Sequence, residues 1–222
     1  MTSGAGFGSG THDFVVESSE TIHEGAIIAL RADRVVMPGG HLATREVVEH
    51  HGAVAVVAAD EHDRIAMVRQ YRHPVGRRLL ELPAGLLDQG PAETPLRAAQ
   101  RELAEEADLA AAHWDVLIDL TLSPGFTDEA LRLFLATGLT RLHAAARHDE
   151  EADMSLEWVG LDDAVDRVLS GEIVNATAVS GILAYAAVRR HATGAVQGTW
   201  PLRNPEAPWP DRPTALSRRK GR

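Results

Sequence analysis

Three glutamates stand close together in the stretch Arg101-Glu102-Leu103-Ala104-Glu105-Glu106. Just upstream, Thr94 followed by Pro95 reads as a helix N-cap with proline at the first helical position, and the residues after it favour helix. The spacing therefore predicts a helix over residues 95–107. On that helix Glu102 and Glu106 lie one turn apart with Glu105 beside them, so all three carboxylates fall on or next to one stripe. Like charges at this spacing repel by roughly 0.2–0.5 kcal/mol per pair on an exposed helix. The segment carries no lysine to offset them, only Arg97 and Arg101. One reading is a solvated acidic face partnered by these arginines. The other is a cation site, since oxygen donors clustered on a rigid element suit a hard divalent ion such as Mg²⁺ or Mn²⁺.

The elements that must position this helix can be read in order. Residues 1–12 are rich in Gly and Ser and are expected to be disordered. Residues 13–47 hold short β-type runs at 14–16, 25–37 and 42–49, the last two joined by Pro38-Gly39-Gly40, which reads as a hairpin. This antiparallel unit is too small to stand alone and should pack on the rest of the chain or on a second copy of it. Residues 52–59 form a continuous apolar run expected to be a central strand buried on both faces. Residues 65–72 read as its hairpin partner, and residues 79–83 lead into a glycine loop at Ala84-Gly85. Further strands are expected at 114–120, 130–136 and 156–159, with a charged loop at 144–153. Helices are expected at 161–169 and 176–191, the second capped by Asn175. The tail, 194–222, repeats proline and has little regular pattern. The sum is an α/β (α+β) fold, a mixed sheet flanked by helices.

Gly85, then Glu93, then seven residues, then Arg101-Glu102-Leu103-Ala104-Glu105-Glu106 resembles the signature of the Nudix hydrolases, G-x5-E-x7-R-E-U-x-E-E-x-G-U with U a bulky aliphatic. Two departures are visible. Seven residues rather than five separate Gly85 from Glu93, and Asp108 stands where the last glycine is usual. The first lengthens a loop at little cost. The second puts Asp at a left-handed helix end, worse than Gly by about 1 kcal/mol. The resemblance implies an α/β/α sandwich over residues 48–193. It implies Glu102 and Glu106 as principal metal ligands, Glu105 as a ligand directly or through water, the Ala84 carbonyl as a further ligand, and Arg101 as the group that orients the glutamates.

Ser123-Pro124-Gly125-Phe126-Thr127-Asp128-Glu129 places a proline sixteen residues after Asp108, a spacing similar to that of the ADP-ribose pyrophosphatase branch. That branch implies Glu129 at the terminal ribose hydroxyls and Arg72 at phosphate. It also implies Arg45 near the adenine, across a dimer interface, and a glutamate of the charged loop, Glu151 or else Glu150, as the group that activates water. The implied activity is Mg²⁺-dependent cleavage of ADP-ribose, or of a close nucleoside diphosphate sugar, by a homodimer. The rival readings are a non-catalytic module that senses ADP-ribose, against which the retained carboxylates speak, and a Nudix hydrolase of another nucleoside diphosphate derivative.

Composition narrows the rest. A chain of 222 residues with 45% hydrophobic residues can bury a real core. It has no cysteine, which excludes thiolate chemistry and Cys-ligated zinc and suits a reducing cytoplasm. The formal net charge of −10 disfavours nucleic acid as a partner. No apolar run of membrane length and no signal-peptide pattern occur, so a soluble protein is expected. The eleven histidines show no zinc spacing and none is nominated; His50 and His51 are the adjacent pair.

Overall fold

The computed structural model describes residues 12–90, 92–143, 153–192, 202–210 and 212. Three strands open the chain: β1 (Val16–Glu24), β2 (Ile28–Val36) and β3 (Leu42–His50) form an antiparallel sheet in the order β1-β2-β3. Every residue of β1 is exposed, so it carries none of the apolar alternation by which a strand is read from sequence. The sheet's interior polar cluster is ionic. Arg31 bonds Asp33 and the buried Glu49, and Ser19 donates to Asp33 at 2.6 Å.

The remaining strands divide between two sheets. One has the order β7-β4-β9-β8, from β7 (Ala84–Leu86), β4 (Ala53–Ala58), β9 (Ala130–Arg141) and β8 (Leu109–Thr121), with β4 and β9 parallel. The other has the order β10-β5-β6, from β10 (Ser155–Gly160), β5 (Arg64–Arg72) and β6 (Arg77–Glu81). This corrects the expected hairpin. Strand β5 does not pair along β4 but crosses into the second sheet, and a single bridge, Ala59 to Ile65, marks the crossing. The reason lies in β4, whose two edges are already taken by β7 and β9.

Strand β4 is buried on both faces, and its alternation assigns one face to each helical layer. Val54, Val56 and Ala58 pack with Phe134 and Val116 against α1 (Pro95–Ala107), through Ala98, Ala99 and Leu103. Ala55 and Val57 pack with Leu133 and Leu82 against α2 (Leu161–Leu169) and α3 (Ala176–Ala192), through Ala164, Ala178 and Ile182. The result is an α/β/α sandwich. Both caps form as the sequence predicts: Thr94 accepts from the Arg97 amide, and Asn175 Oδ1 accepts from the Ala178 amide at 2.9 Å. No helix among the described residues is long and apolar enough to cross a membrane.

The C-terminal stretch 202–210 contains neither helix nor strand, yet it is bound to the sheet. Arg132, 1% exposed, donates to the carbonyls of Ala207 at 2.6 Å and Pro208 at 3.0 Å while its Nε meets Asp119 at 2.7 Å. Its guanidinium lies over the Trp209 ring at 5.0 Å. Arg203 reaches the same aspartate at 2.7 Å. Burial, the largest influence, works to raise the Asp119 pKa, but the hydrogen bonds and charges of Arg132 and Arg203 outweigh it and hold it below the ordinary carboxylate value.

Candidate functional site

Helix α1 buries Glu102 and Glu106 although both are acidic, because each meets the loop strand β7. The Ala84 amide donates to Glu106 Oε2 at 2.9 Å. Glu102 comes so close to Gly85 that a Cβ built there would overlap its carboxylate, so glycine lets this carboxylate lie against the backbone. Arg101 spans the helix face. It donates to Glu93 at 3.1 Å, Glu102 at 2.6 Å and Glu105 at 3.0 Å. Burial works to lower its pKa, but the three carboxylates outweigh that and raise it further above its ordinary value. Burial pushes the Glu102 carboxyl up; Arg101 pulls it back, while Glu105 and Asp88 add to the rise. Asp108 ends the helix in the left-handed region at φ 53, the conformation expected of the residue that stands where glycine is usual.

The donor set suits a hard cation. It is made of oxygens alone, and burial plus neighbouring negative charge disfavour the ionised Glu102, which a cation would relieve. Among the described residues no three acidic or histidine side chains already converge as an ion cage, because Arg101 holds Glu102 and Glu105 to itself.

Beside this region lies a cavity of about 600 Å³, within the range of small-ligand sites. Ala84, Gly85 and Leu86 form one wall, so the buried glutamates of α1 reach the cavity's border through this backbone rather than lining it themselves. Arg72 and Glu81 form another part, Glu129 and His50 a third, and the start of α3 at Asn175, Ala176 and Thr177 a fourth. Arg72 grips the buried Glu81 through Nε at 3.1 Å and Nη2 at 2.7 Å. The neighbouring Gln70 donates to the same carboxylate at 3.4 Å.

Residues 49–177 match the family described as NUDIX domain, and residues 15–48 match the family described as nucleoside diphosphate sugar hydrolase N-terminal domain. The chain belongs to the Nudix family. Over 209 residues, 94% of this chain and 97% of the relative, it is 54% identical to an ADP-ribose pyrophosphatase of Mycobacterium tuberculosis. It is 38% identical to an ADP-ribose pyrophosphatase of Bacillus subtilis over 72% of this chain and 85% of that one. A crystal structure of an ADP compounds hydrolase superposes with a TM-score of 0.72 at 20% identity, covering 84% of this chain and 99% of that one, which shows a shared fold.

Within this Nudix domain the structure brings together Ala84, Glu102, Glu106, Arg101 and Glu105 along α1 and β7, and Arg72 and Glu129 along the cavity. Arg45 stands apart. It lies on β3, exposed, bonded to the Thr44 carbonyl at 3.0 Å and to Met37 Sδ, and is not on the cavity wall. Glu150 and Glu151 lie outside the described residues. Sequence reasoning missed Glu81, although a lone acid in the apolar run Leu79-Leu80-Glu81-Leu82 was a legible sign of a buried carboxylate needing a cation. It also missed His50, for which the adjacency to His51 offered no usable signal.

Proposed function

We propose that this chain hydrolyses the diphosphate of ADP-ribose to AMP and ribose 5-phosphate. The observation that carries this reading is the cavity that puts Arg72, Glu129 and the Ala84-Gly85 backbone over the acidic helix around one volume of about 600 Å³. A diphosphate needs a fixed cation, and the Arg72 guanidinium, braced by Glu81, presents one to it. Glu129 accepts hydroxyl protons of the terminal ribose. Arg101 keeps Glu102 and Glu105 in place along α1. Glu151, or Glu150 in its stead, takes the proton of the attacking water. Glu102, Glu105, Glu106 and the Ala84 carbonyl would hold divalent ions, Mg²⁺ by preference, which when bound neutralise the diphosphate and activate water.

We further propose that residues 13–47 form the interface of a homodimer whose catalytic units are residues 48–193, acting in the cytoplasm on a small molecule, with no nucleic acid partner. Supporting this are the exposed apolar side chains of the N-terminal sheet, among them Val16, Ile22, Ile28 and Leu42. Arg45 of one copy then approaches the adenine of the other.

Incubation with Mg²⁺ and ADP-ribose tests the reading. Release of AMP and ribose 5-phosphate is expected; binding of ADP-ribose without AMP release would instead make the chain a sensing module.

A further inference from the structure

We infer that His50 is a substrate-binding residue, donating a hydrogen bond from Nε2 to a sugar oxygen of the bound nucleoside diphosphate sugar, on the same wall as Glu129. The inference rests on the reading of this cavity as the substrate site. His50 is the last residue of β3 and only 9% exposed, and the opening it retains is the cavity itself. Two bonds fix it. Its amide donates to Asp128 Oδ1 at 2.8 Å, and the Gly52 amide donates to His50 Nδ1 at 3.2 Å.

The second bond decides the ring's chemistry. A nitrogen that accepts from a backbone N–H carries no proton, so in the neutral ring the proton resides on Nε2. Among the described residues Nε2 has no protein partner. Nε2 is not among the buried polar atoms that lack a partner, so it opens to the cavity, where a bound sugar oxygen can take the hydrogen bond in place of water.

The sheet register places this donor beside Glu129. Val48 of β3 forms a parallel bridge with Thr127, and His50 and Glu129 each lie two residues further along. Asp128, which receives the His50 amide, adjoins Glu129 in the chain. A donor and a carboxylate acceptor on one wall complement a sugar's hydroxyls, each of which both gives and takes a hydrogen bond. Arg72 and Glu81, by contrast, present a cation suited to phosphate.

Two substitutions separate binding from structure. In His50→Asn the side-chain oxygen can still accept from Gly52, but the shorter amide leaves no donor at the Nε2 position. In His50→Gln the amide nitrogen can reach the Nε2 position but the acceptor for Gly52 is lost. We expect His50→Asn to raise KM for ADP-ribose roughly three- to tenfold, the effect of one lost neutral hydrogen bond, with kcat and Tm close to wild type. His50→Gln should keep KM within about twofold of wild type while lowering Tm. Wild-type KM in His50→Asn, or a KM that follows Tm in both variants, would overturn the assignment. Failure of the wild-type protein to cleave ADP-ribose is a separate result that overturns the activity itself. In that event the same pair is compared by calorimetry with ADP-ribose, where an unchanged Kd in His50→Asn rejects the role of His50.

Discussion

The Ala84 amide donates to Glu106 Oε2 at 2.9 Å, joining the last turn of α1 to the strand that borders the cavity. One oxygen of that carboxylate thus has a structural duty, whereas the charge is what a cation needs. Glu106→Gln separates the two, because the amide oxygen can still accept from Ala84. AMP release should fall on the order of 100-fold or more while Tm stays near wild type, as for loss of one preorganised electrostatic group. Near-normal turnover would remove Glu106 from the site.

Gly85→Ala tests the close approach of the loop to α1. The added Cβ overlaps the Glu102 carboxylate, so this side chain, held by Arg101, must leave its place or the loop must shift. Overpacking of this kind costs about 1–3 kcal/mol, visible as a lower midpoint in urea, and activity should fall with it. An unchanged midpoint would show that Glu102 turns away freely.

Arg72→Lys addresses the phosphate assignment. A lysine keeps the charge but cannot repeat the two-point grip on Glu81 through Nε and Nη2. KM for ADP-ribose should rise roughly 10- to 100-fold, the range for one charge-assisted hydrogen bond. Unaltered KM would place the diphosphate elsewhere.

The bound C-terminal stretch yields a prediction on stability and pH. Arg132→Ala leaves Asp119 without its buried partner and frees the carbonyls of Ala207 and Pro208. A loss of about 3–5 kcal/mol is expected, with earlier proteolysis near residues 202–210. Asp119 has a folded-state pKa below its unfolded value, so its contribution is complete above the unfolded value and disappears as pH falls through the folded one. The stability difference between wild type and Asp119→Asn, followed by urea melts, should therefore be constant above about pH 5 and shrink below about pH 4. A difference that grows on acidification would contradict the pairing.

Local chemistry made much of this molecule legible. Thr94-Pro95 and Asn175 marked two helix starts, the alternation-free run 53–58 marked a doubly buried strand, and the spacing of Glu102, Glu105 and Glu106 marked an acidic stripe. Strand β1 escaped because all nine of its residues face solvent and no apolar period records it.

By itself, then, the sequence determined the caps, the helix α1 with its carboxylates and the α/β (α+β) class, since each depends on residues within a few positions of one another, while the α/β/α layering followed from the resemblance. Only the tertiary structure decided that β5 leaves β4 for another sheet, that Arg132 clasps Ala207 and Pro208, and that Glu81 braces Arg72. It also decided that His50 lines the cavity beside Glu129. These relationships join positions from nine to about eighty residues apart, and they are fixed by competition among strands for edges and among buried charges for partners. No local spacing encodes the outcome of such a competition.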